Sequence, residues 1–339
     1  MIFKDITDIN FNGIDISSHH EFNHEKVYYY EDQETQLKSL IAIHSTVEGP
    51  AIGGCRYRQY DSFADGLNDV LRLSKGMTDK NNVAGIPFGG GKAVIFKQGV
   101  KSQNLLKSFA SFLNCLNGTY ISAEDIGITL EDIIFIREHS EHDFDNVDPG
   151  PFTAKGLFYS IEQAIQTYFS ENLLGKRIAI QGAGSVGKRL AEYLASSGAH
   201  VFISDIDRSK LSNIDNHNIT CVEDAFSIEC DLFSPCAVGA IFTKDSINNL
   251  KCKIIAGGAN NQLIDASIAE NLLEKNIVFI PDTLINSGGV IGLTKDYLKR
   301  DDAQTEQALR DIASRVKALM IESKDKSISI YQALNNRSL

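Results

Sequence analysis

Between Lys176 and Asp282, short apolar runs alternate with helix-length segments: KRIAIQ, a helix from Ser185, HVFISD, CDLFSPC, a helix near Asp245, CKIIAGG, a helix near Ala266 and NIVFIPD. Strands that are apolar throughout need cover on both faces, and helices that alternate with them supply it, so the pattern predicts a parallel, doubly wound sheet. The first turn of the array narrows the reading. KRIAIQ runs into Gly182-Ala183-Gly184-Ser185-Val186-Gly187, a GxGxxG that opens a helix. The first glycine permits a tight turn, the second lets backbone approach a pyrophosphate, and the third allows close helix packing, while the amides of the helix N-terminus meet the negative charge. Three neighbouring glycines alone amount to a turn. Here Asp205 also closes the next strand, where a carboxylate accepts hydrogen bonds from ribose hydroxyls and repels a 2'-phosphate. The segment predicts a Rossmann-type domain that prefers NAD to NADP, although Arg208 stands close by.

The 339 residues are about twice an average domain. Upstream of the array, strands and helices mix without strict alternation. KVYYYED and LKSLIAIHS read as adjacent strands, a helix capped by Asp61 or Ser62 runs up to the polar stretch DKNN, and a glycine-rich loop, IPFGGGK, leads into the strand KAVIFK. LLKSFASFLNCLNG and LEDIIFIREH read as helices around the strand YISAED. The prolines and glycine of VDPGPF, after Asn146, mark a hinge. The expected architecture is α/β with two domains and a cleft between them. Residues 1–146 form a mixed-sheet domain, 147–305 the doubly wound NAD domain, and 306–339 helices that pack back toward the first domain.

A net charge of -11 repels phosphate backbones, and no cluster of basic and aromatic residues offsets it, which argues against nucleic acid as a partner. MIFKDITDIN has acidic residues where a signal peptide needs an apolar stretch, and no run approaches the ~20 apolar residues that span a bilayer; the expected location is the cytoplasm, away from membranes. The six cysteines are scattered without a CxxC pair and read as reduced thiols. His19, His20 and His24 lack a third ligand type at fixed spacing, and His139, His142 and Asp143 read as a solvated helix end, so no metal is expected.

Three segments of the first region carry chemistry: Gly53-Gly54-Cys55-Arg56, the stretch from Lys75 to Asn81, and Pro87-Phe88-Gly89-Gly90-Gly91-Lys92. A lone lysine is ordinarily a solvated surface residue. Glycines before Lys92 suggest close backbone approach to a ligand and little bulk around the ammonium. With partial burial, the charge of Lys80 would depress the Lys92 pKa toward neutrality, as a general base requires. A phosphate-binding loop of the kinase type needs Ser or Thr after its lysine, and Ala93 stands there.

The runs GPAIGGCR, LRLSKGMTDKNNVAGIPFGGGKAVI, YISAEDIG, CDLFSPCAVGAI, IIAGGANNQL and PDTLINSGGVI resemble the leucine, phenylalanine and valine dehydrogenases of the wider glutamate dehydrogenase superfamily, with leucine dehydrogenases nearest in pattern. The resemblance extends in register from about Lys26 to about Met320. It implies that residues 1–146 bind substrate and form the oligomer, that Lys80 pairs with a substrate α-carboxylate, that Lys92 activates the water attacking an imino carbon, and that Asp125 exchanges a proton with the substrate nitrogen. Read without the resemblance, Asp125 is a helix-capping aspartate. The resemblance also implies substrate contacts at Gly53 and Gly54. Cofactor contacts follow at Thr153, Cys236, Ala237, Ala259 and Asn260, with Asn286 as a bridge between substrate and nicotinamide. Its apolar side-chain pocket would be lined by Ile52, Ala123, Val290 and a helix near Ile312.

The implied reaction is NAD-dependent oxidative deamination of leucine, valine or isoleucine to the 2-oxo acid and ammonium, in a homo-oligomer. An aromatic amino acid in a biosynthetic pathway, or a catalytically silent NAD-binding sensor, are the other readings. Lys80, Lys92, Asp125 and Asn286 together weigh against the sensor. Ser287, Gly292, and Phe152 with Lys155 depart from the family pattern, and the end at Leu339 makes a dimer a firmer expectation than an octamer.

Overall fold

The computed structural model describes all residues except 19–22, 142–147, 213, 238 and 337–339, so His19, His20, His142 and Asp143 lie outside the described residues. The chain divides into two units, Met1–Asn146 and Val147–Leu339.

The first unit contains β1 (Ile2–Asp5), a small hairpin of β2 (Asn10–Phe11) and β3 (Ile14–Asp15), β4 (Lys26–Asp32), β5 (Leu37–Ser45), β6 (Ala51–Arg58), α1 (Phe63–Ala84), β7 (Gly89–Phe96), α2 (Gln103–Asn114), β8 (Tyr120–Ala123) and α3 (Leu130–Glu138). Its sheet has the order β1-β4-β5-β7-β6-β8. β1, β4, β5 and β7 pair antiparallel, whereas β7, β6 and β8 pair parallel, which makes the sheet mixed. Side chains alternate across a strand, and Tyr29 and Tyr30 show the two faces. Tyr29 joins Leu67, Val70 and Leu71 of α1 together with Val94 and Phe96 of β7. Tyr30 stacks on Phe112 of α2, with centroids 5.0 Å apart.

Two expectations change here. α1 does not stop at DKNN but runs to Ala84, closed by Gly85 at φ 63, so Lys80 lies inside the helix. Asn81 makes the extension tolerable: it is fully buried and its Nδ2 donates to the Gly89 carbonyl at 2.8 Å. The run GGG is not a loop either, because β7 begins at Gly89. A Cβ on Gly89 would sit 1.7 Å from the Ser45 carbonyl oxygen, one on Gly90 2.1 Å from the Thr78 amide, and one on Gly91 2.6 Å from the Tyr120 ring. The glycines let β5, α1 and β8 close on the strand, and Lys92 is its fourth residue.

The second unit contains α4 (Pro149–Phe169), β9 (Arg177–Gln181), α5 (Ser185–Ser196), β10 (His200–Ser204), β11 (Ile219–Cys221), β12 (Leu232–Pro235), β13 (Ile254–Ile255), α6 (Ser267–Glu274), β14 (Val278–Phe279), α7 (Asp282–Ile285), α8 (Gly288–Leu293), α9 (Asp302–Lys326) and α10 (Ile330–Asn335). Every pair in the sheet β11-β10-β9-β12-β13-β14 is parallel. In chain order this is 3-2-1-4-5-6, the doubly wound arrangement of dinucleotide-binding sheets. The helix expected near Asp245 is only a 3-10 turn, Ser246–Asn249.

The carboxy-terminal helices belong to the second unit. α9 lies along α4 and against α8, α7 and α10, within the second unit. Leu309, Ile312 and Val316 are buried there, and the cause is Gly156 of α4: a Cβ on it would meet Ile312 Cδ1 at 3.2 Å and Leu309 Cδ2 at 3.5 Å. Among the described residues no helix is long and apolar enough to cross a membrane.

Candidate active site

In the first unit, Ile52, Gly54 and Arg56 share one face of β6, and Gly54 pairs with Ala123 of β8. Lys92, only 6% exposed, points to the same face from β7. A Cβ on Gly54 would lie 3.2 Å from Lys92 Nζ and 2.8 Å from Asp125 Cβ. The glycine that clears space for the ammonium is therefore Gly54, on the adjacent strand. Gly53 serves packing: its Cβ would fall 1.8 Å from the Gly91 carbonyl oxygen, and its own carbonyl accepts the Tyr120 hydroxyl at 2.7 Å.

Asp125 follows β8 and does not cap the next helix, which starts at Leu130 with Thr129 as its cap in a reciprocal box with Asp132. Its Oδ1 accepts the Ile126 amide at 2.7 Å. Its Oδ2 accepts Lys92 Nζ and also, at 3.1 Å, Arg56 Nε. Arg56 Nη1 donates in turn to Asp69 Oδ2 at 2.9 Å, and Tyr60 Oη donates to that oxygen at 2.8 Å.

Burial pushes the Lys92 pKa down from the ordinary lysine value; the Asp125 carboxylate opposes that, Arg56 reinforces it, and the net result is a lowered pKa. Burial pushes Asp125 up, but Lys92 and Arg56 outweigh it and hold the carboxyl below its ordinary value. A cation acting on Lys92 is thus Arg56, to which the sequence assigned no role. Lys80 is half-buried on α1. A lone arginine within a strand carries no sequence signal; the only cue is its place two residues after Gly54.

His24 packs its ring edge-on against His44 at 5.1 Å and shares a hydrogen bond with Ser74 Oγ at 2.6 Å.

In the second unit the glycine motif occupies the turn between β9 and α5. Gly182 has φ +106, a region open to glycine, and a Cβ on Gly187 would fall 1.9 Å from the Gly182 carbonyl oxygen. Gly184 is the N-cap of α5 without a side-chain cap, and a Cβ there would meet nothing within 4 Å. Uncapped amides facing open space fit a pyrophosphate. Cys236 and Ala237 lie against this turn, since a Cβ on Gly182 would sit 2.8 Å from the Ala237 amide. Val186 faces Gly258, Ser185 faces Gly150 of α4, and the Ala259 amide donates to the Pro235 carbonyl at 2.9 Å. Asp205, nearly buried, accepts the Ala183 amide at 2.7 Å and the Asp207 amide at 2.8 Å. Burial raises its pKa, these amides lower it more, and the carboxylate stays charged.

Asn286 Nδ2 donates to Asn260 Oδ1 at 2.8 Å and to the Gly258 carbonyl at 3.2 Å. Its Oδ1 is buried with no hydrogen-bond partner among the described residues. An orphaned acceptor beside Ala259 and Asn260 fits a ligand that brings its own donors, such as a ribose or a carboxamide. Thr153 Oγ1 donates to the Pro149 carbonyl at 2.9 Å and faces Gly289 of α8, whose neighbour Val290 is buried.

The unusual residues have physical reasons. A Cβ on Gly292 would lie 2.4 Å from the Phe152 ring, so this glycine and this phenylalanine are one adaptation. Ser287 Oγ donates to the Leu284 carbonyl at 2.8 Å, and Lys155 pairs with Glu306 at 2.6 Å.

Residues 22–142 match the family described as Glu/Leu/Phe/Val dehydrogenase, dimerisation domain. Residues 150–209 and 202–336 match Glutamate/Leucine/Phenylalanine/Valine dehydrogenase. The chain is 34% identical over 328 residues to the leucine dehydrogenase of Bacillus subtilis, covering 92% of this chain and 90% of that one. It is 40% identical over 335 residues to the phenylalanine dehydrogenase of Lysinibacillus sphaericus, covering 93% and 87%. The crystal structure of L-tryptophan dehydrogenase from Nostoc punctiforme superposes with a TM-score of 0.83 at 34% identity, covering 94% of this chain and 95% of that one. With the mixed sheet carrying the buried lysine and carboxylate, and the parallel sheet carrying the dinucleotide turn, these likenesses lead to one assignment: the chain belongs to the glutamate/leucine/phenylalanine/valine dehydrogenase family of amino-acid dehydrogenases and is an oxidoreductase.

Proposed function

We propose that the protein catalyses oxidative deamination of a small apolar L-amino acid, leucine, valine or isoleucine, to its 2-oxo acid and ammonium. The cofactor is NAD, which when bound supplies the hydride acceptor. The reading is carried by one observation: a buried lysine with a lowered pKa, bonded to a carboxylate, beside a glycine that leaves room at the ammonium. In its neutral form Lys92 takes a proton from the water that adds to the imino carbon. Asp125, held ionised, takes and returns a proton at the substrate nitrogen. Lys80 and the backbone of Gly53 and Gly54 receive the α-carboxylate end of the substrate. Ile52 and Ala123, on the face of β6 and at the end of β8, receive the side chain.

On the cofactor side, the α5 amides from Ser185 onward hold the pyrophosphate, Asp205 the adenosine ribose, and Thr153, Ala237, Asn260 and Asn286 the nicotinamide end. The first unit, matched by a model described as a dimerisation domain, builds a homo-oligomer that is at least a dimer.

A second reading, an aromatic amino acid as substrate, is favoured by the 40% identity to the phenylalanine dehydrogenase. One methylene in an apolar pocket discriminates by only ~1–3 kcal/mol, so related side chains will share the site. The test is a panel of L-amino acids with NAD at alkaline pH, followed by NADH absorbance. Turnover highest with leucine, valine or isoleucine supports the first reading, and highest with phenylalanine or tryptophan the second. Absence of turnover with every member overturns both.

A further inference from the structure

Lys92 and Asp125 do not form an isolated pair. Asp125 Oδ2 accepts two cations, Lys92 from β7 and Arg56 from β6, and the Arg56 guanidinium bridges to Asp69 on α1. The Arg56 and Asp69 side chains are only 12% and 11% exposed. We infer that Arg56 is a positioning residue, which holds the Asp125 carboxylate in place and keeps it charged when Lys92 gives up its proton. The inference rests on Lys92 and Asp125 being the reacting pair.

The need for a third charge follows from the chemistry. A buried carboxylate whose only partner is a lysine loses its counter-charge once the lysine is deprotonated to the neutral form that serves as a base. It would then compete for the proton, and the two groups would titrate as one. Arginine stays charged at any working pH and its planar fork reaches two carboxylates at once. With Arg56 in place, Asp125 remains an acceptor while Lys92 is neutral, and the positive charge of Arg56 makes that neutral state easier to reach.

The other ionisable groups around the cluster do not substitute for it. Cys55, between Arg56 and Gly54, is buried and its thiol is pushed up, and the buried Tyr120 hydroxyl is held neutral by burial and bonded to Gly53. Lys101 from the α2 side is bonded to Asp132 of α3. On α1, Arg72 bonds the second oxygen of Asp69 at 3.1 Å and is more than half exposed. Glu124, next to Asp125, is exposed.

Charge and geometry can be separated with Arg56→Gln, Arg56→Lys and Asp69→Asn. Asparagine still accepts from Arg56 Nη1, so the last variant removes charge and leaves the guanidinium seated. Two readouts are taken on the full-length protein: the pH profile of kcat/KM with the best amino-acid substrate, and the pH midpoint of Lys92 acetylation by trace acetic anhydride, followed by mass spectrometry. Arg56→Gln should move the acid limb and the midpoint up by about one pH unit, a tenfold loss of neutral lysine at a given pH below it. Arg56→Lys should keep the limb near its original position. Asp69→Asn should move both downward. Midpoints that stay in place, or that move in the same direction in the Gln and Asn variants, overturn the inference. Should Arg56→Gln fail to fold, an unmoved or raised midpoint in Asp69→Asn overturns it alone. Labelling needs no turnover, so a silent protein whose midpoints shift as stated refutes the dehydrogenase reading and leaves the electrostatic assignment standing.

Discussion

The ring of Phe152 stands where a side chain on residue 292 would begin: a Cβ added to Gly292 would be 2.4 Å from it. Two departures from the family pattern, far apart in sequence, are therefore a single complementary contact between α4 and α8. Gly292→Asn should cost about 1–3 kcal/mol through overpacking. Phe152→Val in the same chain should recover most of that loss. Urea denaturation of the two single variants and the double variant measures the coupling, and strict additivity would show that the contact is not shared.

Removing the base tests the division of labour between the units. Lys92→Ala should lower kcat by at least about 10^2-fold, in line with the loss of general-base catalysis. NADH fluorescence titration should give an affinity close to that of the parent, because the dinucleotide turn lies in the other unit. Loss of NADH binding along with turnover would mean that Lys92 has a structural role.

The pH dependence has a definite sign. Lys92 must be neutral to accept a proton, and its pKa is lowered from 10.5, so kcat/KM should rise with pH along a limb whose midpoint lies below 10.5. Asp125 is also lowered, so it stays ionised through this range and adds no second limb near neutrality. A limb at or above the ordinary lysine value would remove Lys92 from the role of base.

Glycines in the chain separate into those that hold space for packing and those that hold it for something else. Gly90→Ala would drive a Cβ to 2.1 Å from the Thr78 amide and should destabilise by roughly 3 kcal/mol or more. Gly76, within α1, has open space at its Cβ, and Gly76→Ala should stabilise by about 0.5–1 kcal/mol. Gly184 also has open space and a negative φ, so Gly184→Ala should leave the urea midpoint unchanged. Its NADH affinity should fall about tenfold, because the methyl enters the room meant for the pyrophosphate. An unchanged Kd would move the pyrophosphate away from this turn.

How far the sequence reached depends on how local each cause is. The dinucleotide turn is legible because a tight turn, a close approach and a helix crossing each demand glycine at fixed spacing, with Asp205 at the next strand end. Lys92 and Asp125 are legible through long motifs. The start of the strand that carries Lys92 is not, since its glycines answer to Ser45, Thr78 and Tyr120, which belong to other elements. The sequence ends the helix at DKNN, before Lys80, for a similar reason: the buried Asn81, bonded to Gly89, extends the helix past polar residues. Arg56 has no periodic signal at all. Only the fold brings Asp69 and Asp125 to its two sides. The tail is legible as helical, whereas the seat of Leu309 and Ile312 beside Gly156 is not.

The three glycines ahead of Lys92 also bear on evolution. Each is matched to a different neighbour, so no single substitution elsewhere can release more than one of them. The backbone under the lysine is fixed without slack. A lineage that acquires a new substrate would keep this strand unchanged and record the change elsewhere.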